Sequence, residues 1–322
     1  VSLAGRDDGR AAWRDFKGEL DALGFRPSRR FGQNFLVDEN MVRAIVRDAQ
    51  LAPGARVLEI GTGLGFLTLH LLREGCEVVT VEVDARLFEL SGRALAAERP
   101  CTRLLCDALE GKHSLAPAVR AALWPSGDWH LVANLPYSIA SPLLVVLADL
   151  DNPPASFTTL VQKEAAERVA GTPGGADWGA LSARLQADYD CRIVRAVGPG
   201  LFWPRPQVDS SVVRGVRRAA VLEPERRVLL QGLLARLFQR RRQTLGRVLA
   251  DLLDDRAAAQ AWLDEAHLVG GARAEDLDLD ALLRLVDAAR REERRAQVLR
   301  QVAPAGCKDD AQAEASDAPE PD

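Results

Sequence analysis

The sequence is poor in histidine, in paired cysteine and in long apolar runs, and each shortage removes a class of chemistry. Five cysteines, Cys76, Cys101, Cys106, Cys191 and Cys307, stand at spacings that make no CxxC pair and no zinc pattern. No metal site is therefore expected, and a reducing compartment is. Four histidines, His70, His113, His130 and His267, fall into no Ser/His/Asp or Cys/His arrangement, which argues against hydrolytic triad chemistry. There is no run of about 18 apolar residues and no charged-then-apolar leader. Membrane insertion and secretion are not expected, and the cytoplasm is the expected location. Aromatics are sparse, with two Tyr and nine Phe in 322 residues, but 47% of the chain is hydrophobic and 27% charged. That balance suits a globular protein with one large domain and a smaller one, long enough for a sizeable core.

A net charge of -4 conceals an uneven distribution. Between Arg214 and Arg247 ten Arg face two Glu, a local charge of +8. From Pro304 to Asp322 six acids face Lys308 with no aliphatic side chain larger than Ala, a composition that cannot bury enough surface to fold. The residues divide into an N-terminal extension (1–25) expected to pack on the main domain, a catalytic domain (26–218), a helical domain (219–290) and a charged, disordered tail (291–322). No internal repeat is present.

Between the ends, apolar β-branched runs alternate with helical periodicity. The runs are RVLEI (56–60), EVVTVE (77–82), TRLLCD (102–107), HLVANL (130–135), FTTLVQ (157–162), CRIVRAV (191–197) and SVVRGV (211–216). This is an α/β pattern with a mostly parallel seven-stranded sheet. Ligands of such sheets bind at the carboxyl ends of the strands where strand order reverses, so the first four strand ends are where chemistry is expected.

The first strand runs into LEIGTGLGFLT, with Gly61, Gly63 and Gly65 spaced G-x-G-x-G before a helix. Glycines let the backbone turn sharply and a ligand approach closely. The third glycine of a dinucleotide fingerprint is replaced by Phe66, which disfavours a pyrophosphate. Glu82, twenty-one residues after Gly61, ends the second strand, where a carboxylate can take both hydroxyls of a ribose. Asp107 ends the third, placed to accept from an adenine amine. A nucleoside without phosphates points to S-adenosyl-L-methionine. The alternative, a tight turn beside solvated acids, leaves the register of the three features on successive strands unexplained.

At the fourth strand end stands NLPY, Asn134, Leu135, Pro136 and Tyr137. The exocyclic amine of a base is a poor nucleophile because its lone pair is delocalised into the ring. The Asn134 side-chain oxygen and a backbone carbonyl, of Leu135 or Pro136, can accept both amino protons and turn the nitrogen toward a methyl sulfonium. Tyr137 can stack on a base taken out of its helix. No general base is needed before attack, which fits the missing histidines. A turn with Pro136 as a rigid corner is the alternative, and it does not explain the position beside the cofactor residues.

The motifs RRFGQNFLVD (29–38), LEIGTGLGFLT (58–68), VEVD (81–84), NLPYSIASPL (134–143), QKEAAERVA (162–170), FWPRPQVDSSVV (202–213), LFQRRRQTLGRVL (237–249) and RAEDL (273–277) resemble those of the small-subunit ribosomal RNA adenine dimethyltransferases of the KsgA type. The resemblance implies a Rossmann-like S-adenosylmethionine-dependent methyltransferase with a small all-helical C-terminal domain. It implies cofactor contacts at Asn34, Leu36, Gly61, Glu82, Asp107 and Asn134, with Gly63 in the same loop, and places Phe202 opposite Tyr137 across the base. It further implies dimethylation of N6 on two adjacent adenines in a hairpin loop near the 3′ end of small-subunit RNA. A partly assembled small subunit is then the partner, the enzyme is expected to be a monomer, and RNA is expected to meet Arg240, Arg241, Arg242 and Arg247 along a basic helix. Thr62, Ala133, Ser138 and Gln207 depart from the usual Pro, Gly, Asn and Lys. A large-subunit methyltransferase of the macrolide-resistance type and a non-catalytic assembly or transcription factor on the same fold are the competing readings. The helical-domain motifs oppose the first, and the intact site residues oppose the second.

Overall fold

Each of the seven β-branched runs forms a strand, and all seven join one sheet. They are β1 (Arg56–Ile60), β2 (Glu77–Glu82), β3 (Thr102–Leu105), β4 (His130–Asn134), β5 (Ser156–Gln162), β6 (Tyr189–Val197) and β7 (Ser210–Arg217). The computed structural model describes residues 9–28, 31–96, 98–111, 114–290 and 292–299. His113, Cys307 and the acidic segment from Pro304 lie outside them.

The strand order is β3-β2-β1-β4-β5-β7-β6. β1 to β5 pair in parallel, and β7 runs antiparallel to β5 and β6. The chain leaves β1 toward β2 and β3, then returns to the other side of β1 as β4. The order therefore reverses between β1 and β4, which opens a crevice at their carboxyl ends. Parallel strands covered on both faces need continuous apolar runs. Val57, Leu58 and Ile60 of β1 and Leu131, Val132 and Ala133 of β4 are accordingly all buried. β6 is an edge strand and carries the exposed Arg192 and the half-buried Arg195, charges that discourage edge-to-edge pairing.

The helices around the sheet are α1 (Gly9–Ala22), α2 (Glu39–Ala49), α3 (Phe66–Arg73), α4 (Ala85–Leu95), α5 (Pro117–Ala122), α6 (Ala140–Ala148) and α7 (Lys163–Val169). Asp38 caps α2 by accepting from the Met41 amide, and Asp84 caps α4 by accepting from Arg86. The expected N-terminal extension packs into the same core through Phe16 and Leu20 of α1. A two-residue strand, Phe35–Leu36, pairs antiparallel with Phe202–Trp203.

The chain forms two compact units, Val1–Gly171 with Leu185–Val221, and Thr172–Arg184 with Leu222–Asp322. The second unit thus draws residues 172–184 from inside the stretch read as the catalytic domain. Part of α8 (Ala180–Gln186) is among them. Its other helices are α9 (Pro224–Gln239), α10 (Leu245–Leu253), α11 (Arg256–Glu265), α12 (Leu279–Ala288) and α13 (Glu292–Leu299). Trp262 is fully buried there and donates to the Leu285 carbonyl at 3.0 Å. The expectation of disorder from residue 291 fails over α13. Val298 is buried and Arg294 pairs with Glu265 at 2.7 Å, anchors that a charge count does not reveal.

Candidate active site

The carboxyl ends of β1, β2, β3 and β4 line an open cleft whose empty space, part of it continuous with solvent, is about 670 Å³. Gly61 and Gly63 have φ values of 86° and 56°, which only glycine adopts without strain. A Cβ on Gly63 would also lie 3.3 Å from the Phe35 ring. Gly61 donates to the Val81 carbonyl at 2.8 Å, binding the loop to β2. The loop's second anchor is Glu82. Its Oε2 accepts from the Gly63 amide at 2.7 Å, and its Oε1 accepts from Val83 and Asp84 at 3.0 and 2.9 Å. A carboxylate has roughly four acceptor positions, so about one stays open to a ligand. The expectation that Glu82 takes both ribose hydroxyls is narrowed accordingly, because the carboxylate also organises the loop. Burial raises the Glu82 pKa, opposed by those backbone donors.

Asp107 follows β3 and lines the cleft; its Oδ1 accepts from the Leu109 amide at 3.1 Å, and Oδ2 takes no hydrogen bond among the described residues. Asn34 lines the opposite wall, with its side chain donating to Gly32 at 3.2 Å. Its carbonyl accepts from Asn134 Nδ2 at 3.1 Å. That bond orients the Asn134 amide and leaves Oδ1 without a partner among the described residues. Pro136 contributes its carbonyl to the turn by accepting from Ile139 at 3.1 Å, while Leu135 donates its amide to Leu160 at 3.0 Å and keeps its carbonyl free among the described residues. Of the two carbonyls considered, that of Leu135 has both acceptor positions open among the described residues and that of Pro136 has one. Tyr137 lines the same cleft and its hydroxyl bonds Ser210 Oγ at 2.8 Å, which fixes the ring. Burial raises its pKa, so the phenol stays neutral.

Behind the glycine loop lies a buried polar cluster that the sequence reading missed. Glu59 of β1 is 1% exposed, and its Oε2 accepts from Thr68 at 2.5 Å and Thr80 at 2.8 Å. Its Oε1 is buried without a partner among the described residues. Burial is the main reason its pKa rises to about 8, with the nearby Glu82 adding to the rise and the two threonines opposing it. Thr62, standing where the family pattern has Pro, bonds Thr80 at 2.6 Å, so the departure ties the loop to this cluster. Gln33 and Asp84, bonded at 3.1 Å, hold the wall containing Asn34. The adjacent GQN and VEVD motifs were the signals that could have found them.

Two expected positions fall elsewhere. Leu36 lines a smaller cavity behind the loop together with Asn134 and Gly63, not the main cleft. Phe202 is 5% exposed, lies in the hydrophobic core and does not line the cleft. Its backbone pairs with Leu36, which draws the ring inward. The arginines also differ from expectation. Arg240, Arg241 and Arg242 occupy the turn after α9, not a helix face, and only Arg247 is helical. Arg240 is paired with Asp251 and Arg226 with Asp287. Arg241, Arg242 and Arg247 are exposed and make no ion pair among the described residues.

The sequence profile of the family described as Ribosomal RNA adenine dimethylase matches residues 24–290. The chain belongs to that family. Among the relatives of this dimethylase, the small-subunit methyltransferase A of Phenylobacterium zucineum is 39% identical over 275 residues, covering 85% of this chain and 92% of the relative. That of Opitutus terrae is 41% identical over 256 residues, covering 78% and 88%. The dimethyladenosine transferase of Plasmodium falciparum shares the fold, with a TM-score of 0.63 at 22% identity over 77% of this chain and 94% of that one. The 23S rRNA methyltransferase ErmE has a TM-score of 0.59 at 26% identity, covering 79% and 98%. The fold and the family name make the dimethylase an S-adenosylmethionine-dependent methyltransferase.

Proposed function

We propose that the cleft binds S-adenosylmethionine and that the chain dimethylates N6 of two adjacent adenines in a hairpin loop near the 3′ end of small-subunit ribosomal RNA. The curated relatives carry the small-subunit name. The observation that carries the chemistry is a pair of acceptors without a partner among the described residues, Asn134 Oδ1 and the Leu135 carbonyl, on consecutive residues that line the cleft. Two acceptors on consecutive residues match in number the two protons of one amino group.

The lining chemistry fits the cofactor. Glu82 and Asp107 line the cleft, and no Lys or Arg is among its described lining residues. An acceptor-rich cleft of that charge suits a cationic nucleoside bearing hydroxyl and amino donors, and repels phosphates. Glu82 would hold a ribose hydroxyl, Asp107 the cofactor's adenine amine, and the glycine loop would lie against the remainder. When bound, the cofactor supplies an electrophilic methyl group. The chain's own contribution is placement. Asn134 and Leu135 accept the amino protons of the target adenine, which draws its lone pair out of conjugation with the ring and orients it for attack. Tyr137 stacks on the base and offsets part of the cost of unstacking it.

In this proposal Asn34, Gly61 and Gly63 shape the cofactor side, and Leu36 acts from behind the loop. Arg241, Arg242 and Arg247 take the RNA phosphates, with Arg240 already neutralised by Asp251. The substrate is a partly assembled small subunit in the cytoplasm, acted on by a monomer whose catalytic part is residues 26–218 less the 172–184 segment of the second unit. Asn134→Ala should remove turnover while leaving cofactor binding measurable and the fold intact. The assay is methyl incorporation into free RNA and into partly assembled subunits, with the modified nucleotides mapped by mass spectrometry. Near wild-type incorporation by Asn134→Ala would refute the amine-orienting role, and a product in large-subunit RNA would transfer the assignment to the other ribosomal subunit.

A further inference from the structure

Helix α1 lies ahead of the residues matched by the family profile, 24–290, yet it reaches the cofactor cleft through two aromatic side chains. Phe16 is 1% exposed and meets Phe66 edge-on, with centroids 5.2 Å apart and planes at 71°. Phe66 opens α3 directly after Gly65. Trp13 packs on Trp203 at 5.4 Å, and Lys17 Nζ lies 5.0 Å from the centre of the same indole. Trp203 in turn stacks on Phe35 at 5.9 Å with planes 21° apart, and pairs with it through the backbone. Phe35 lines the cleft and covers Gly63. The two contacts of α1 thus end on either side of the glycine loop, one through Phe35 over Gly63 and one at Phe66 after Gly65.

The wall that Phe35 belongs to leans on aromatic side chains, since Phe35 also packs on the buried Phe25 at 6.2 Å. It contributes Gln33 and Asn34 to the cleft and contains only the two-residue strand Phe35–Leu36. Among the described residues, hydrogen bonds from Gln33 to Asp84 and from Asn134 to the Asn34 carbonyl tie it to the cleft, and Val37 donates to the Leu201 carbonyl. A segment with so little backbone pairing is held mainly by side-chain packing. Where packing is lost, a ligand must order the wall as it binds, and its apparent affinity falls by the fraction of chains in which the wall is in place.

We infer that α1 braces the cofactor cleft, with Trp13 and Phe16 as positioning residues that hold Phe35 and the glycine loop in their ligand-ready arrangement. The inference rests on the cleft being the S-adenosylmethionine site. It adds to that reading a part of the chain that the family match does not cover, and assigns it to cofactor affinity, not to the transfer step.

The test uses the full chain and its Trp13→Ala and Phe16→Ala variants, with Trp13→Phe, Trp13→Leu and Phe16→Leu beside them. S-adenosylmethionine binding is measured by calorimetry well below each melting temperature. Each alanine variant should bind about tenfold more weakly, a loss that one aromatic contact can account for. KM for the cofactor should rise in step, while kcat at saturating cofactor changes by less than about twofold, because bound cofactor restores the wall and with it the Asn34 carbonyl that orients Asn134. Trp13→Phe keeps a ring on Trp203 and should restore most of the affinity. If an alanine variant does not fold, the leucine variant carries the same comparison. Cofactor affinity within about twofold of wild type in folded variants, whatever their melting temperatures, would overturn the inference. Loss of kcat at unchanged KM would overturn it as well. A wild-type chain that binds no S-adenosylmethionine would instead overturn the cofactor reading beneath it.

Discussion

Replacing Glu59 by Gln should change how stability depends on pH more than it changes stability itself. In the folded chain Glu59 keeps its proton up to about pH 8, whereas its ordinary value is 4.5. The folded state therefore binds a proton that the unfolded chain releases between these limits. Stability from this group is complete below pH 4.5 and is lost as pH rises toward about 8. The window spans about 3.5 pH units at about 1.4 kcal/mol each, a total of about 5 kcal/mol, of which about 4 falls between pH 5 and pH 9. The side chain of the Glu59→Gln variant can still accept from Thr68 and Thr80 but cannot ionise. Its amide nitrogen would take the buried place of Oε1, which has no partner among the described residues, at a cost of about 1–3 kcal/mol. The variant should thus be less stable than wild type at pH 5 and more stable at pH 9. Glu82, which burial shifts in the same direction, is present in both proteins and cancels in the difference. Urea unfolding followed by tryptophan fluorescence at pH 5, 7 and 9 reads the crossing. Cofactor affinity of the wild type should also fall above pH 8, where an ionised Glu59 would repel Glu82 behind the loop, and the variant should not show that fall. Parallel stability profiles for the two proteins would refute the assignment of a buried neutral carboxyl.

Glu82→Ala should weaken S-adenosylmethionine binding by about 2–4 kcal/mol, since it removes an acceptor for the ligand and releases three loop amides; unchanged affinity by calorimetry would take Glu82 out of the site. Arg241→Glu with Arg242→Glu should lower affinity for the RNA or subunit and flatten its salt dependence while cofactor affinity holds, and an unaltered salt slope would return both residues to solvated surface. Phe202→Leu should lower thermal stability, by about 1–2 kcal/mol for lost core volume, with the rate per folded molecule retained. A fall in turnover of tenfold or more at unchanged melting temperature would return Phe202 to the base site, opposite Tyr137.

The sequence by itself determined what short-range patterns encode. Strand content followed from β-branched runs whose side chains suit a sheet covered on both faces, so RVLEI and EVVTVE became β1 and β2 at the limits read from the chain. The glycine loop, Glu82, Asp107 and NLPY were legible because a doubly wound sheet places successive strand ends together, whatever the loops between them. Tertiary structure alone decided the rest, because it depends on which distant groups become neighbours. Nothing in the order of residues shows that Pro136 uses its carbonyl in a turn while that of Leu135 takes no hydrogen bond among the described residues. Nothing local separates Tyr137, held in the cleft by Ser210, from Phe202, drawn into the core by its pairing with Leu36. A count of ten arginines could not tell those neutralised by distant acids from Arg241 and Arg242, which are exposed and make no ion pair among the described residues. Glu59 reads in sequence as one more charge; only burial between β1, β2 and α3, beside two threonines and away from water, makes it a neutral acid at pH 7.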